Sequence, residues 1–208
     1  MQLLRQTFKP KIKQHERIIV LFPENMQNVN FKLCDGVEYQ HYFFAVSELK
    51  GANGKLSTCL PRNKKPILYR WWFPREVAFV LLSKHKAARM LESTLSTNID
   101  KRRYYALYLG KGTNGRTRFA NHIHKHKRFS TLRRTIGGLL CTADEYEISK
   151  ILDNCYYEWC EISCQQCKLE DLEKKAINKR FYPLNLKDNN NISEEWREKL
   201  EELRKKIS

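Results

Sequence analysis

The chain has 208 residues, of which 39 are Lys or Arg and 23 are Asp or Glu, so its formal net charge is +16 at pH 7. The hydrophobic fraction of 41% provides enough apolar material for a buried core and excludes wholesale disorder. No apolar run is long enough to span a bilayer, and the first residues lack the apolar segment of a signal peptide, so we expect a cytoplasmic protein. The large positive charge favours an anionic partner, and nucleic acid is the first to consider.

The first 62 residues predict a β-rich N-terminal extension. The apolar run over residues 17–22 suits a short buried strand, and residues 31–46 suit a hairpin, because Asp35-Gly36 accepts the positive φ angles of a tight turn. Residues 51–65 are rich in Gly, Asn, Pro and Lys, and this composition predicts a linker.

Three strands and three helices are predicted over residues 63–190. The strands are predicted over 66–73, 104–109 and 156–162, and the first two are separated by a helical insertion over residues 74–97. The other helices are predicted over 116–126, behind the cap Asn114, and over 169–180, before Pro183. A last amphipathic helix, within residues 191–208 and capped by Ser193, packs either on its own domain or in a dimer contact.

The positive charge is concentrated in one part of the chain. Residues 101–134 contain eleven Lys or Arg and no Asp or Glu, and they also contain aromatic and apolar residues that indicate folded structure. A solvated basic surface is the alternative, but this pattern favours an ordered basic groove that neutralises phosphates. The residues that we expect to contact nucleic acid are Arg116, Lys125, Lys127, Arg128, Arg133 and Arg134.

Three residues are candidates for chemistry: Arg118 and His122 within this basic segment, and Glu173 beyond it. Arg118 and His122 are four residues apart on a predicted helix, so both could hold a phosphodiester from the same helix face, although His122 could equally be one of three alternating exposed histidines. Glu173 lies on the apolar stripe of its helix, where a carboxylate needs either an ion-pair partner or a bound cation. A hard oxygen ligand beside phosphates suits Mg²⁺.

These residues, in this order, resemble the GIY-YIG nuclease superfamily, and its restriction-enzyme-like members in particular. The second tripeptide of the family corresponds to Tyr108-Leu109-Gly110, which is followed by Lys111. The family's arginine corresponds to Arg118, ten residues after Tyr108, and a histidine follows one helical turn later at His122.

The later family positions also have counterparts. The metal-binding glutamate corresponds to Glu173, and the Pro-x-Asn ending corresponds to Pro183-Leu184-Asn185, with Asn185 twelve positions beyond the glutamate. The first tripeptide departs from the pattern: its counterpart Ile67-Leu68-Tyr69 lacks the glycine, and Tyr69 precedes Tyr108 by 39 residues. The insertion over residues 74–97 would account for this long spacing.

The resemblance implies an α+β domain with a small three-stranded antiparallel sheet flanked by helices, and hydrolysis of a DNA phosphodiester with one divalent metal, Mg²⁺ or Mn²⁺. In this role Glu173 would hold the metal and Arg118 would offset the charge of the transition state. Tyr69 or Tyr108 would accept a proton from the attacking water, with a phenol pKa lowered by the nearby cations. His122 would orient the nucleophile or contact the phosphate, and Asn185 would be a packing residue.

Within the superfamily, the compact chain favours a sequence-specific endonuclease that acts on duplex DNA and is of the restriction type. A nuclease for branched or damaged DNA is the second possibility, and a catalytically silent nucleic-acid-binding module is the third, because the first tripeptide is imperfect. A palindromic target would call for a two-fold homodimer.

The seven cysteines are odd in number, which argues against a disulfide framework. Cys164 and Cys167 have the spacing of a zinc ligand pair, with Cys160 just upstream. A second pair of matching spacing is missing, so we expect free thiols rather than a structural zinc ion.

Overall fold

The computed structural model describes residues 41–51, 55–61, 65–124, 130–163 and 168–207. These residues form five strands: β1 (His41–Ala45), β2 (Ile67–Pro74), β3 (Ser96–Ile99), β4 (Arg102–Gly112) and β5 (Tyr156–Glu161). All neighbouring strands pair antiparallel in one sheet with the order β1-β5-β2-β4-β3. The three predicted strands correspond to β2, β4 and β5 at the centre of the sheet, but the expected three-stranded sheet is wrong because β1 and β3 extend it on either side.

The described residues also form helices that cover both faces of the sheet. Their bounds are α1 (Val46–Leu49), α2 (Arg75–Ser83), α3 (Met90–Ser93), α4 (Gly115–Ile123), α5 (Thr131–Leu140), α6 (Glu145–Asp153), α7 (Leu169–Lys179) and α8 (Glu194–Lys205). None of these helices combines the length and the apolar character needed to cross a bilayer. The helices expected after Asn114, after residue 168 and after Ser193 are present as α4, α7 and α8.

The insertion between β2 and β4 is only partly helical. It contains α2 and α3 and then turns into β3, which forms a hairpin with β4. Asp100 and Lys101, between the two strands, both have positive φ angles, as a tight two-residue hairpin turn requires. The expected helical insertion over 74–97 therefore corresponds to α2 and α3, and the turn selects strand pairing for residues 96–99.

The N-terminal segment that the structure describes belongs to the domain. β1 pairs with β5, and Val46 and Leu49 of α1 are fully buried in the core. The predicted boundary near residue 62 therefore does not separate residues 41–49 from the sheet. The strand predicted over residues 17–22 and the turn at Asp35-Gly36 lie outside the described residues.

Two apolar clusters fill the space between the sheet and its helices. One cluster lies between the sheet and α1, α2, α4, α5, α6 and α8, and the other lies on the opposite face, where α7 packs. The register between β2 and β4 shifts between Trp71 and Trp72, so that Trp71 pairs with Tyr108 and Trp72 pairs with Ala106. This bulge leaves Leu107 and Tyr108 in the same cluster, and it directs Tyr108 towards α4.

The C-terminal helix α8 packs on its own domain rather than standing alone. Trp196 donates a hydrogen bond from its indole to the carbonyl of Pro183 at 2.8 Å. A Cβ at Gly138 of α5 would come within 2.8 Å of the Leu203 carbonyl oxygen, so glycine allows the two helices to approach closely. Of the two alternatives that the sequence left open, the packing contact within the domain is present.

Candidate active site

The centre of the site is Tyr69 on β2, which lies opposite Gly110 of β4 in the strand register. Tyr69 is fully buried. Its hydroxyl accepts a hydrogen bond from Nε of Arg118 at 2.8 Å and lies 2.8 Å from Nε2 of His122. The tyrosine of the imperfect first tripeptide is therefore in direct contact with two of the other predicted site residues.

Glycine at position 110 makes this contact possible. A Cβ at Gly110 would overlap the hydroxyl of Tyr69 and the ring carbon that carries it. The tripeptide Tyr108-Leu109-Gly110 thus ends in glycine because the phenol of Tyr69 fills the space beside the backbone. The sequence predicted the glycine as a motif position, and the structure gives its steric reason.

Arg118 is placed by the start of α4. Asn114 caps this helix, because its side chain accepts a hydrogen bond from the backbone amide of Thr117 at 3.0 Å. A Cβ at Gly112 would lie 2.9 Å from the Cβ of Arg118, so the glycine after Lys111 allows the helix to pass close to β4. The guanidinium carbon lies 6.0 Å from the ring centroid of Tyr69, so Arg118 contacts the phenol through both its hydrogen bond and its charge.

Tyr108 is the second tyrosine of the site. Its ring centroid is 6.4 Å from that of Tyr69 and 6.2 Å from that of His122. Burial raises the pKa of Tyr108, Arg118 counteracts this effect, and Glu173 raises the pKa further. Arg118 and Glu173 are therefore both within electrostatic reach of the same phenol.

The lowered phenol pKa that the sequence led us to expect is not present in the free protein. Burial raises the pKa of Tyr69 well above its ordinary value, and the opposing effect of Arg118 is smaller. Both tyrosines are thus neutral at physiological pH. A tyrosine that accepts a proton here needs a group to which its own proton can move.

His122 is such a group. It is fully buried, and burial together with the charges of Arg118 and Arg133 lowers the pKa of His122 well below its ordinary value. The imidazole is therefore neutral, with one nitrogen free to accept a proton. The interpretation of His122 as an exposed surface histidine is wrong.

Glu173 lies on α7, on the other side of the end of β4. The side chain is 17% exposed, and its Oε2 lies 3.2 Å from Nζ of Lys111, which also pairs with Glu170 at 2.9 Å. Burial raises the pKa of Glu173, and Lys111 acts in the opposite direction. The ion-pair partner of the Glu173 carboxylate is thus Lys111.

The donor set around Glu173 fits a magnesium-like ion. Among the described residues there is no group of three or more His, Cys, Asp or Glu side chains that could hold a metal. One carboxylate is nevertheless sufficient for Mg²⁺, which binds proteins through one or two carboxylates and keeps several waters. A site of this kind would be completed by water and substrate oxygen atoms.

The side chain of Asn185 forms hydrogen bonds with the backbone of Leu109, the middle residue of the tripeptide Tyr108-Leu109-Gly110. Its Oδ1 accepts from the amide of Leu109 at 2.8 Å, and its Nδ2 donates to the carbonyl of Leu109 at 2.7 Å. The side chain thereby replaces a neighbouring strand at this position of β4, between Tyr108 and Gly110. Asn185 is buried, and this geometry makes it a residue that positions β4 rather than one that contacts a substrate.

The arginines predicted to contact nucleic acid have different surroundings. Arg133 is fully buried and forms an ion pair with Glu145 at 2.6 Å, which argues against its predicted contact with nucleic acid. Arg116 donates two hydrogen bonds to the carbonyls of Leu56 and Ser57 and holds that loop. Arg134 is partly exposed, and its Nε has no hydrogen-bond partner in the described part of the chain. Lys125, Lys127 and Arg128 lie outside the described residues.

Two side chains at the site were not found by sequence reasoning. Ser130 lies 2.8 Å from the second ring nitrogen of His122, and Arg204 of α8 lies close enough to Tyr108 and Arg134 to interact with both. Burial and the neighbouring Arg134 lower the pKa of Arg204 to about 10, while Tyr108 acts in the opposite direction. Serine is a preferred N-cap residue, and this signal was available for Ser130, but nothing in the sequence joins α8 to the site.

The cysteines add no described metal site. Cys160 is buried in β5, and burial raises the pKa of its thiol. Cys155 is also buried and donates to the carbonyl of Ile151. Cys164 and Cys167 lie outside the described residues, so the expectation of free thiols remains a prediction for them.

Comparison with models of protein families identifies the family of this chain. The family model described as the GIY-YIG catalytic domain matches residues 67–206, which is more than half of the chain. Comparison with curated proteins and with solved structures gave no match. The matched segment begins at β2 and ends in α8, so it contains Tyr69, Arg118 and Glu173 and also Arg204. The chain belongs to the GIY-YIG catalytic domain family, whose members are nucleases.

Proposed function

We propose that the protein is a divalent-metal-dependent endonuclease that hydrolyses phosphodiester bonds in duplex DNA. The observation that carries this proposal is the hydrogen-bonded chain of Arg118, Tyr69 and His122, which lies beside the Lys111–Glu173 pair at the same end of β4. A cation, a proton acceptor and a carboxylate ligand are the parts that hydrolysis of a phosphodiester needs.

Tyr69 is the better candidate for the base. Its hydroxyl contacts both Arg118 and Nε2 of His122, whereas the Tyr108 ring lies 6.2 Å from that of His122 and its side chain interacts with Tyr69. The attacking water gives a proton to the Tyr69 oxygen while the Tyr69 proton moves to Nε2 of His122. A phosphate bound at Arg118 offsets the charge that otherwise disfavours protonation of His122, so the transfer is coupled to substrate binding.

Glu173 would hold Mg²⁺ or Mn²⁺ next to the scissile phosphate. When bound, such an ion stabilises the negative charge that develops on the phosphoryl and leaving oxygens. Arg118 contributes a fixed positive charge from the opposite side of β4, and Lys111 neutralises the Glu173 carboxylate in the free protein. Asn185 keeps Tyr108 and Gly110 at their positions by pairing with Leu109.

The DNA surface that we propose extends from the site along α5. Its described members are Arg134 and, from α8, Arg204, both of which are partly exposed. Lys125, Lys127 and Arg128 lie outside the described residues and are included from the sequence alone. The insertion between β2 and β4 exposes further cations, among them Lys84, Lys86 and Arg89. An extended basic surface of this kind favours a polymeric anion over a small phosphate ester.

The proposed substrate is a specific sequence in duplex DNA, which the protein would cleave as a restriction enzyme does. The support is the compact domain with two added segments, the N-terminal residues and the insertion, which are long enough to contact base edges in a groove. A homodimer would follow from a palindromic target, and sedimentation of the protein with and without a cleaved duplex would measure it.

The experiment that tests the function compares cleavage of plasmid DNA and of a four-way junction in Mg²⁺ and in Mn²⁺. Glu173→Gln is the test variant, and Glu170→Gln is the matched control, because Glu170 pairs with the same lysine but its side chain is 69% exposed. We expect discrete plasmid fragments from the wild type and from Glu170→Gln, and none from Glu173→Gln.

The other outcomes identify the rival functions. Cleavage of the junction alone would replace the restriction-type assignment with a structure-specific nuclease. DNA binding by the wild type without cleavage in either metal would overturn the enzymatic proposal and leave a silent binding module.

A further inference from the structure

The contacts of the Tyr69 hydroxyl bear on which ring nitrogen of His122 carries the proton. Nε of Arg118 can only donate, so the Tyr69 oxygen accepts that hydrogen bond at 2.8 Å. The Tyr69 oxygen also lies 2.8 Å from Nε2 of His122, and the side chain of Tyr108 is a further neighbour of this hydroxyl. If Tyr69 donates its proton to Nε2, the ring proton of the neutral imidazole lies on Nδ1.

Nδ1 of His122 in turn needs an acceptor, and Ser130 provides it. The Ser130 hydroxyl oxygen lies 2.8 Å from Nδ1, and Ser130 is itself fully buried. The same oxygen caps α5 by accepting from the backbone amide of Arg133 at 3.2 Å. Both hydrogen bonds use the serine oxygen as an acceptor, so capping and imidazole binding are compatible.

Helix α5 also fixes the backbone of His122. Nη1 of Arg133 donates to the His122 carbonyl at 3.0 Å, and the arginine is held by Glu145 and by the hydroxyl of Ser149. The first residues of α5 thus hold the imidazole from its ring and from its main chain. The remaining charged and titratable groups that face the ring are Arg118 from α4, Tyr69 from β2 and Tyr108 from β4.

We propose that Ser130 is a positioning residue for the reaction, because it holds His122 in the Nδ1–H tautomer and so leaves Nε2 free to receive the Tyr69 proton. The proposal rests on the proposed function for its catalytic consequence, but the tautomer itself is a property of the free protein. The second hydrogen bond of a histidine commonly sets which nitrogen reacts.

The first test is the tautomer of His122 in wild-type protein without DNA. The chain contains six histidines, so ¹⁵N-histidine labelling gives a simple spectrum in which the His122 signals are those lost in His122→Gln. We expect the Nδ1–H form at pH 7.5. Observation of the Nε2–H form would overturn the proposal, and this readout is valid even if the protein cuts no DNA.

The second test removes the acceptor. Ser130→Ala should shift the ring towards Nε2–H and reduce kcat about 10- to 100-fold, with little change in the Kd for duplex DNA measured in Ca²⁺. Ser193→Ala is the matched control, since Ser193 caps α8 through the amide of Trp196 and is part of neither the site nor α5. It should lose cap energy but keep both the tautomer and kcat.

Ser130→Cys provides a variant of similar volume with a weak acceptor, in case the alanine variant does not fold. Ser130→Thr keeps the hydroxyl and should retain most of the wild-type kcat. If Ser130→Ala or Ser130→Cys keeps the Nδ1–H form and the wild-type kcat, Ser130 has only a capping role. If wild type cuts DNA with His122 in the Nε2–H form, the nuclease function stands and the role of Ser130 is lost.

Discussion

Tyr69 and Gly110 lie opposite each other on β2 and β4, and the phenol hydroxyl occupies the space that a side chain at position 110 would need. The absence of a side chain at position 110 of β4 therefore leaves room for the hydroxyl of Tyr69 on β2. Because the two strands are neighbours in the centre of the sheet, neither can move away to make room. The relationship makes position 110 sensitive to a single added methyl group.

Gly110→Ala is expected to destabilise the protein by about 1–3 kcal/mol and to reduce cleavage strongly, since the methyl group pushes Tyr69 away from Arg118 and His122. Urea unfolding measures the first effect and single-turnover cleavage the second. In a Tyr69→Leu background, which removes the hydroxyl and the end of the ring, the same substitution should cost less. An equal cost in both backgrounds would contradict the proposed overlap.

Tyr69→Phe and Tyr108→Phe separate the two tyrosines. Tyr69→Phe removes the atom that joins Arg118 to His122, so we expect the single-turnover rate to fall by about 100-fold or more with DNA affinity maintained. Tyr108→Phe should reduce the rate by less than about 10-fold, because that hydroxyl interacts with Tyr69 and does not join Arg118 to His122. The reverse order would assign the base to Tyr108.

His122 should make stability depend on pH. Since the pKa of His122 is lowered in the folded protein, the unfolded chain takes up a proton as the pH falls below its ordinary pKa while the folded protein does not. The free energy of unfolding should therefore decrease as the pH falls from about 6.5, by up to about 1.4 kcal/mol per pH unit from this residue alone.

Urea unfolding of the wild type and of His122→Gln between pH 7.5 and 5.5 measures this contribution. The variant should show a smaller decrease than the wild type over this range. His124→Gln removes an imidazole from the exposed position that follows α4 and serves as the control. Equal slopes for the wild type and His122→Gln would show that His122 is not held neutral by the fold.

Arg133 and Arg134 are adjacent in sequence but should respond differently to substitution. Arg133→Gln breaks a buried ion pair with Glu145 and should destabilise the protein by about 3–5 kcal/mol. Arg134→Gln should leave thermal unfolding almost unchanged, weaken DNA binding and reduce the salt dependence of log K by about one unit. Loss of stability with Arg134→Gln and normal DNA binding by Arg133→Gln would reverse these assignments.

The sequence predicts the residues that we propose for chemistry but not all of the residues that support them. The spacing of Arg118 and His122 on one helix and the position of Glu173 on an apolar stripe are local patterns, and local patterns can be read along the chain. Helix α5 was missed because Gly137 and Gly138 lower its helix propensity, whereas in the fold Gly138 allows contact with α8.

The surroundings of the basic residues could not be predicted for a related reason. Arg133 and Arg134 have the same local sequence context, and only the packing of α6 against α5 decides that one is buried beside Glu145. The neutral state of both tyrosines also depends on burial from several elements at once. Burial of this kind arises from contacts between distant parts of the chain, which no local pattern records.

The register between β2 and β4 has a consequence for how such domains vary. The pairing of β2 with β4 holds Tyr69 opposite Gly110. The connection between the two strands is here long enough to contain α2, α3 and β3. Lengthening a loop severalfold adds only about 1–2 kcal/mol of closure entropy. Searches that require a fixed interval between the two tyrosines will therefore overlook chains of this type, whereas searches for compatible strand ladders will recover them.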